Sequence, residues 1–446
     1  MSNDTARRAV AAWCNAIERP DFGKLASLTA ATCTIDGIPH TSEAIAERYE
    51  RTTKSAHVQP MFNADHAAVL TSKTRAQVGP VYEITFHHAT ELHFTLMAAE
   101  NEPERWLVER IESRGRGPIE RAIPGLGEDY VAMTEAWADA NIRWIGRTLA
   151  ENPPDVAGYR AQTLRRHAVS ALDEVLHLRS APYLTTVQRF IRQQAERMIH
   201  EIRTDTVESG CHVWKPYDHG WIVKTREHCW AHDFTEGYGA AVMTDEQIAA
   251  IVGKIEALFV SHWHRDHASP TVFRHALEAG VPIYIAPMWE GGEVPAEFAD
   301  QSNFHVLDVN RWTMPGQSGT TPTGITWRAL PGHQDHRPNA MFLVEVDGFV
   351  VLQSGDQYND DDCAWVDRIG KDLAAEDVRV DLLLTWLPQL QRIAKGVNPR
   401  FVIPGHENEL GHMFEHREPY DQSYEKLVEV DIPSYVLAWG ERVRLP

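Results

Sequence analysis

The chain is short of positive charge, of paired cysteines and of long apolar runs. Its 43 lysines and arginines face 63 aspartates and glutamates, a net charge of −20 over 446 residues. Such a balance repels phosphate backbones and argues against a general nucleic-acid binder. The five cysteines, Cys14, Cys33, Cys211, Cys229 and Cys363, are odd in number, widely spaced and without a Cys-x-x-Cys pair. That pattern excludes a disulfide framework and a zinc knuckle, leaving free, mostly buried thiols. No apolar stretch reaches the ~20 residues that cross a bilayer. The opening MSNDTARRAVAAWCNAIERP is too polar for a secretory leader, so a cytoplasmic location is expected. There is no internal repeat and no low-complexity tract. What is present, 43% hydrophobic and 24% charged residues, is ordinary for a globular protein, and the length implies two or three domains.

Three regions follow from pattern. Residues 1–117 open with an amphipathic helix in which Ala6, Val10, Trp13 and Ile17 fall at helical spacing. A second helix is expected across Ser42–Tyr49, then strands at Tyr82–His87, Glu91–Leu96 and Trp106–Ile111. Helices followed by a run of strands make an α+β domain. This order resembles the ketosteroid-isomerase-like cone fold, in which a curved sheet wraps helices around a pocket. Arg114-Gly115-Arg116-Gly117-Pro118 reads as a boundary. Residues 118–205 read as a helical connector, interrupted at Glu151-Asn152-Pro153-Pro154. Val187, Phe190, Ile191, Ala195, Met198, Ile199 and Ile202 form one apolar stripe there, a packing face rather than a cofactor site. A homodimer contact is one role open to this region. Residues 206–446 alternate strands with helices, the pattern of a layered α/β fold. Thr244 and Gln247 make a capping box before a helix over 248–255. Met341–Val346 and Phe349–Gln353 read as strands of a hairpin turned by Asp347-Gly348.

The densest chemical signal is SHWHRDH, residues 261–267, with His262, His264, Asp266 and His267. The apolar run Ala257–Val260 before it reads as a buried strand. Ser269-Pro270 after it reads as an N-cap and first helical residue, opening a helix through Phe273 and Leu277 that stops near Gly280. Three more apolar runs end the same way: ITWRALPGH at His333, FVVLQSGD at Asp356 and RFVIPGH at His406. Glycine directly precedes both of these histidines, allowing a tight turn. One such residue alone is as readily a loop residue as a ligand; four strand exits bearing ligand types together point to a metal centre. Imidazole suits zinc and iron, and carboxylates add hard oxygen ligands. His262 and His264, two apart on an extended segment, point to one side. Asp233 follows the strand-like Cys229–His232 and reads either as a turn residue or as a support for the site. His336 and Asn339, just past His333, are open to substrate contact or to loop hydrogen bonding.

These residues carry a resemblance. HWHRDH matches the HxHxDH signature of the metallo-β-lactamase superfamily, and His333, Asp356 and His406 match its remaining ligand positions in order. The likeness covers 206–446 and implies an αββα sandwich with the site at one edge of the paired sheets. It implies one metal on His262, His264 and His333, a second on Asp266, His267 and His406, and Asp356 bridging the two. The cofactors implied are two divalent ions, zinc first, with iron or manganese as alternatives. A shared hydroxide would be the nucleophile, and Asp266 would orient it or relay its proton. Asp233 stands near the early aspartate that steadies such sites. Asp356 falls where the hydroxyacylglutathione-hydrolase and lactonase branches place the bridging carboxylate, whereas the best-known zinc β-lactamases use a cysteine ligand, so antibiotic hydrolysis is disfavoured. The expected function is hydrolysis of a small-molecule ester, lactone, thioester, amide or phosphoester, with no nucleic-acid or membrane partner. The alternatives are a diiron oxygenase of the same fold and a non-catalytic binding protein. The flavodiiron pattern puts glutamate where His264 stands, and another oxygenase branch replaces His333 with a carboxylate.

Overall fold

The computed structural model describes residues 2–56, 61–63, 68–85, 88–118, 128–237, 243–288, 294–309, 316–335, 337–412 and 416–446. The chain divides into two compact units, 1–135 and 136–446.

In the first unit, the helix Asn3–Glu18 begins at a capping box. The Ser2 hydroxyl accepts from the Thr5 amide at 3.2 Å, and the Thr5 hydroxyl accepts from the Ser2 amide at 3.1 Å. The helix buries Ala6, Val10, Trp13 and Ile17, as its spacing requires. Trp13 packs edge-on against Tyr49, Phe62 and Phe94, with ring centroids 5.5, 6.3 and 5.3 Å away, and its indole N–H donates to Thr29 Oγ1 at 3.0 Å. The sheet runs in the order 38–41, 29–35, 102–118, 88–99, 75–85, 61–63, with 68–70 also paired to 75–85. Of the strand expected at Tyr82–His87, the part to Thr85 belongs to Arg75–Thr85, and residues 86–87 lie outside the described residues. Arg114–Pro118, read as a boundary, is instead the end of the strand Glu102–Pro118, whose pairing runs out to His88↔Pro118. Ladder hydrogen bonding overrides the turn preference of Gly115 and Gly117.

The second unit opens with helices. The helices Tyr159–Leu176 and Thr185–Thr204 bury one face each, and Val187, Phe190 and Met198 share a core with Trp214, Tyr217 and Ile222. The residues expected as a connector thus form part of this unit's own core. Arg165 on the first of these helices donates to both carboxylate oxygens of Glu441 at 2.7 and 2.6 Å, tying it to the C-terminal strand Glu441–Leu445.

Two sheets face each other behind these helices. One has seven strands in the order 304–306, 283–285, 258–260, 229–232, 221–224, 211–215, 441–445; the other has six, 317–320, 326–330, 341–346, 349–353, 382–386, 401–405. Alternation along the strands divides their side chains between two cores. Val213, Trp230, Phe259, Phe342, Val351 and Leu384 meet in one cluster drawn from both sheets. Their neighbours Trp214, Ala231, Leu258, Leu343, Leu352 and Leu383 belong to a second cluster with helical residues such as Ile248, Phe273, Leu373 and Ile393. Strands buried on both faces read as continuous apolar runs, and each fully buried large side chain contributes about 1.5–3 kcal/mol. This is an αββα sandwich.

The Thr244–Gln247 capping box is present, opening the helix Asp245–Val252, which ends at Gly253 rather than reaching 255. The 341–353 hairpin turns at Asp347 and Gly348, with φ 53° and 74°, the left-handed pair its two-residue loop demands. Cys14, Cys33, Cys211 and Cys229 are buried and unpaired. Among the described residues, no helix is long and apolar enough to cross a membrane.

Candidate metal centre

The strand Leu258–Val260 runs parallel to Cys229–His232, and Phe349–Gln353 runs parallel to Leu382–Trp386 and on to Phe401–Gly405. Within each sheet these parallel strands end on the same side, and four of the five lead into a candidate ligand or its support. Ser261 and His262 leave the first, Asp233 the second, Asp356 the third and His406 the last.

Five of the expected ligands converge there. His267 Nε2 lies 3.3 Å from Asp356 Oδ1 and 3.7 Å from Asp266 Oδ2. His406 Nε2 lies 3.2 Å from Asp266 Oδ2 and 3.4 Å from Asp356 Oδ2, and His262 Nε2 is 3.9 Å from the same Asp356 oxygen. His264 lines the adjoining cavity, its ring 4.6 Å from that of His262. His333 is fixed through its backbone, the amide donating to Gln357 Oε1 at 3.1 Å and the carbonyl accepting from the Tyr358 amide at 3.2 Å. Among the described residues, two groups have ligand atoms within 4.8 Å of one another: His262, His267 and Asp356, and Asp218, Asp266, His267 and His406. His264 and His333 belong to neither.

Supporting contacts fix these rings. Asp233 Oδ2 accepts from His267 Nδ1 at 2.9 Å, from Ser261 Oγ at 2.7 Å and from Gln353 Nε2 at 2.6 Å, while Oδ1 accepts from the Ser261 amide at 2.6 Å. Asn339 has both halves of its amide occupied: Nδ2 donates to the Ser354 carbonyl at 2.8 Å and Oδ1 accepts from the Asp356 amide at 3.0 Å. These bonds clamp the loop that carries Asp356. His336 lies outside the described residues.

The glycines before the ligands act differently from the tight turn expected of them. Neither Gly332 nor Gly405 has a left-handed φ. A β-carbon on Gly332 would stand 2.1 Å from Gln357 Oε1, and one on Gly405 2.7 Å from the Trp221 ring and 2.9 Å from His219 Nδ1. Close approach is what these positions require. The left-handed conformation falls on His406 itself, at φ 79°, and on Asp218 and Asp233, both at 44°. Non-glycine residues held this way concentrate where a site imposes strain.

Electrostatics follow from burial and crowding. Burial pushes His262 well below its ordinary pKa and His264 down to about 4. Burial opposes charge on His267 as well, yet Asp356, Asp266 and Asp233 outweigh it and raise its pKa well above the usual value. His406 rises likewise against burial, beside Asp218 and Asp356. The carboxyls of Asp266 and Asp356 fall well below theirs, burial being overcome chiefly by His267. Glu418 is pushed up to about 7 by burial. The side chains Asp218, Asp233, Asp266, Asp356 and Glu409 are 5% exposed or less, and this density of acid demands positive charge.

The donor set fits a cation. Nε2 of His262, His267 and His406 and Oδ1 of Asp356 are buried without a hydrogen-bond partner. Each buried atom left so costs about 1–3 kcal/mol, a cost that coordination removes.

Several site residues escape sequence reasoning. Asp218 and His219 come from the turn between strands Cys211–Lys215 and Trp221–Lys224; a metal-capable pair in a turn between two apolar strands was the available signal. His412 places Nε2 3.1 Å from Asp266 Oδ2. Glu409, Glu418 and Gln353 carry no local motif. Beside the cluster opens a cavity of about 700 Å³ whose walls include His264, Gln334, Tyr358, Trp386, His412 and Arg417. The Trp386 indole is fixed by its N–H to Glu418 Oε2 at 2.8 Å and stands 5.8 Å from the Tyr358 ring.

No family model and no curated protein matches the chain. Solved structures do. The metallo hydrolase Igni18 of Ignicoccus hospitalis is 15% identical over 52% of this chain and 97% of its own, with a TM-score of 0.41. CmlA, a diiron β-hydroxylase from Streptomyces venezuelae, is 12% identical over 54% of this chain and 55% of its own, with a TM-score of 0.40. The metallo-β-lactamase fold protein YhfI of Bacillus subtilis is 14% identical over 52% of this chain and 98% of its own, with a TM-score of 0.37. Each is similar to about half of this chain. The second unit's two sheets between helices, with histidines and aspartates at the strand ends, make the αββα arrangement that the sequence resemblance implied.

Proposed function

We propose that the second unit is a metal-dependent hydrolase acting on a small molecule. His262, His264 and His333 would hold one divalent ion and Asp266, His267 and His406 a second, with Asp356 between them. Two such ions, zinc foremost, would polarise a carbonyl or phosphoryl oxygen and acidify a water to a nucleophile at neutral pH. The remaining work falls to the protein. Asp233 fixes the His267 ring through Nδ1, so Nε2 faces the centre. Gln334 Nε2 donates to Asp356 Oδ2 at 3.1 Å and holds that carboxylate in place. Asp266 Oδ2, 3.2 Å from His406 Nε2 and 3.1 Å from His412 Nε2, would orient an attacking water or relay its proton. The cavity of about 700 Å³ lies within the range of small-ligand pockets, and Trp386 and Tyr358 give it an apolar wall.

The observation that carries this reading is the convergence of buried, unpartnered imidazole nitrogens on Asp356 and Asp266 from separate strand ends. The test is hydrolysis of a panel of lactones, thioesters, phosphodiesters and β-lactams by chelator-stripped and metal-restored protein. At least one class is expected to turn over only after restoration, and His264→Ala or Asp356→Ala should abolish that turnover while leaving circular dichroism unchanged. The carboxylate-rich side of the cluster keeps a second reading in view, a diiron oxygenase. Two irons per chain with substrate-dependent oxygen uptake, and no hydrolysis, would establish that reading and overturn the first.

A further inference from the structure

The turn Tyr217-Asp218-His219-Gly220 stands outside the motif residues, yet it is built into the floor of the centre. Asp218 and His219 are both fully buried. Neither carboxylate oxygen of Asp218 and neither ring nitrogen of His219 has a hydrogen-bond partner among the described residues. The turn is pinned where it stands: the His406 amide donates to the Asp218 carbonyl at 3.3 Å, and the Gly220 amide to the Tyr217 carbonyl at 2.8 Å. Asp218 Oδ1 lies 3.9 Å from His406 Nδ1, and the His219 ring is 5.2 Å from that of His267. Asp218 offers an oxygen within 4.8 Å of ligand atoms of Asp266, His267 and His406.

A carboxylate buried without donors is among the costliest arrangements a fold can hold. Among the described residues no lysine or arginine forms an ion pair with Asp218; the buried Lys215 is taken by Glu407. Asp218 is also backbone-strained, at φ 44°. Both costs are offset if a cation sits within reach of its oxygens.

We propose that Asp218 supplies an oxygen ligand to the second metal position, beside Asp266, His267 and His406. The inference rests on the metal-centre reading above and adds a ligand that the HxHxDH motif does not contain. It makes the two positions chemically unequal. The first has three histidines with Asp356 shared, suited to zinc; the second adds the oxygens of Asp218 and Asp266 to His267, His406 and the shared Asp356, a more oxygen-rich set that suits manganese or iron.

The test compares full-length wild type with Asp218→Asn, stripped by chelator and titrated with Mn2+ and Zn2+ by calorimetry, with visible spectra recorded at saturating Co2+. Wild type is expected to bind two ions. In Asp218→Asn the Mn2+ affinity of one position should fall about 10–100-fold, with Zn2+ binding at the other unchanged and the saturated Co2+ spectrum altered by the lost oxygen. Unchanged Mn2+ affinity with an unchanged saturated Co2+ spectrum overturns the proposal and leaves the metal centre standing. Wild type that binds no divalent ion overturns both. Should Asp218→Asn fail to fold, Asp218→Glu decides: a longer arm at a ligand position must shift the Co2+ spectrum, and a spectrum identical to wild type overturns the assignment.

Discussion

Asp233 accepts four hydrogen bonds, from the Ser261 amide and hydroxyl, His267 Nδ1 and Gln353 Nε2. One carboxylate thereby joins the ends of three strands and aims a ligand ring. Gly355 performs the matching task for Asp356. It is left-handed at φ 55°, and a β-carbon there would stand 2.2 Å from Asn339 Oδ1 and 2.5 Å from Ser261 Cβ. Those neighbours are the clamp of Asp356 and the partner of Asp233. Gly355→Ala should therefore destabilise by about 2–5 kcal/mol, the sum of a left-handed β-carbon and local overpacking, and should lower the bound metal. Urea unfolding with metal analysis checks this; a variant of wild-type stability and full metal content would contradict the account of the site's packing.

At the scale of elements, Asp173 links two helices. Placed on Tyr159–Leu176, it accepts from the amides of Tyr420 and Asp421 at 2.8 and 3.0 Å, at the start of the helix Tyr420–Leu427, and from Asn408 Nδ2 at 2.8 Å. Burial outweighs these donors and lifts its pKa to about 7. An unfolded aspartate titrates near ~3.9, so between about pH 4 and 7 the folded chain holds a proton that the unfolded chain has lost. Stability conferred by that proton is complete at about pH 4, declines as pH rises and is gone above 7, at no more than about 1.4 kcal/mol per pH unit. Asp173→Asn should flatten this decline relative to wild type in urea titrations across pH 4–8; parallel profiles would contradict it.

Elements also explain what the sequence made legible. The strands before His262, Asp356 and His406 were readable because both faces are buried, giving unbroken apolar runs that stop at the site. The Ser269-Pro270 helix start and the Asp347-Gly348 turn were readable because capping and left-handed geometry are local. Arg114–Pro118 misled because the glycines there serve a long strand, whose partner at 88–90 no local pattern reveals. Asp218, Glu409 and His412 went unread for the same reason: they owe their place to packing between segments nearly 200 residues apart, such as Tyr217 with Glu409 and Leu410.

Over the whole molecule, the hydrophobic cores of the described residues are divided between the two units. The cluster around Trp13 contains no residue beyond Ile111, and the two clusters of the sandwich none before Ala138. Every residue assigned to the metal centre lies in 136–446. On the reading proposed above, this unit cages two cations between its strand ends. Elemental analysis of full-length protein, reconstituted with zinc or manganese and freed of excess metal by gel filtration, tests it most directly. Two ions per chain are expected in the wild type and at most one in Asp356→Ala. Less than one ion per chain in folded wild-type protein would contradict it.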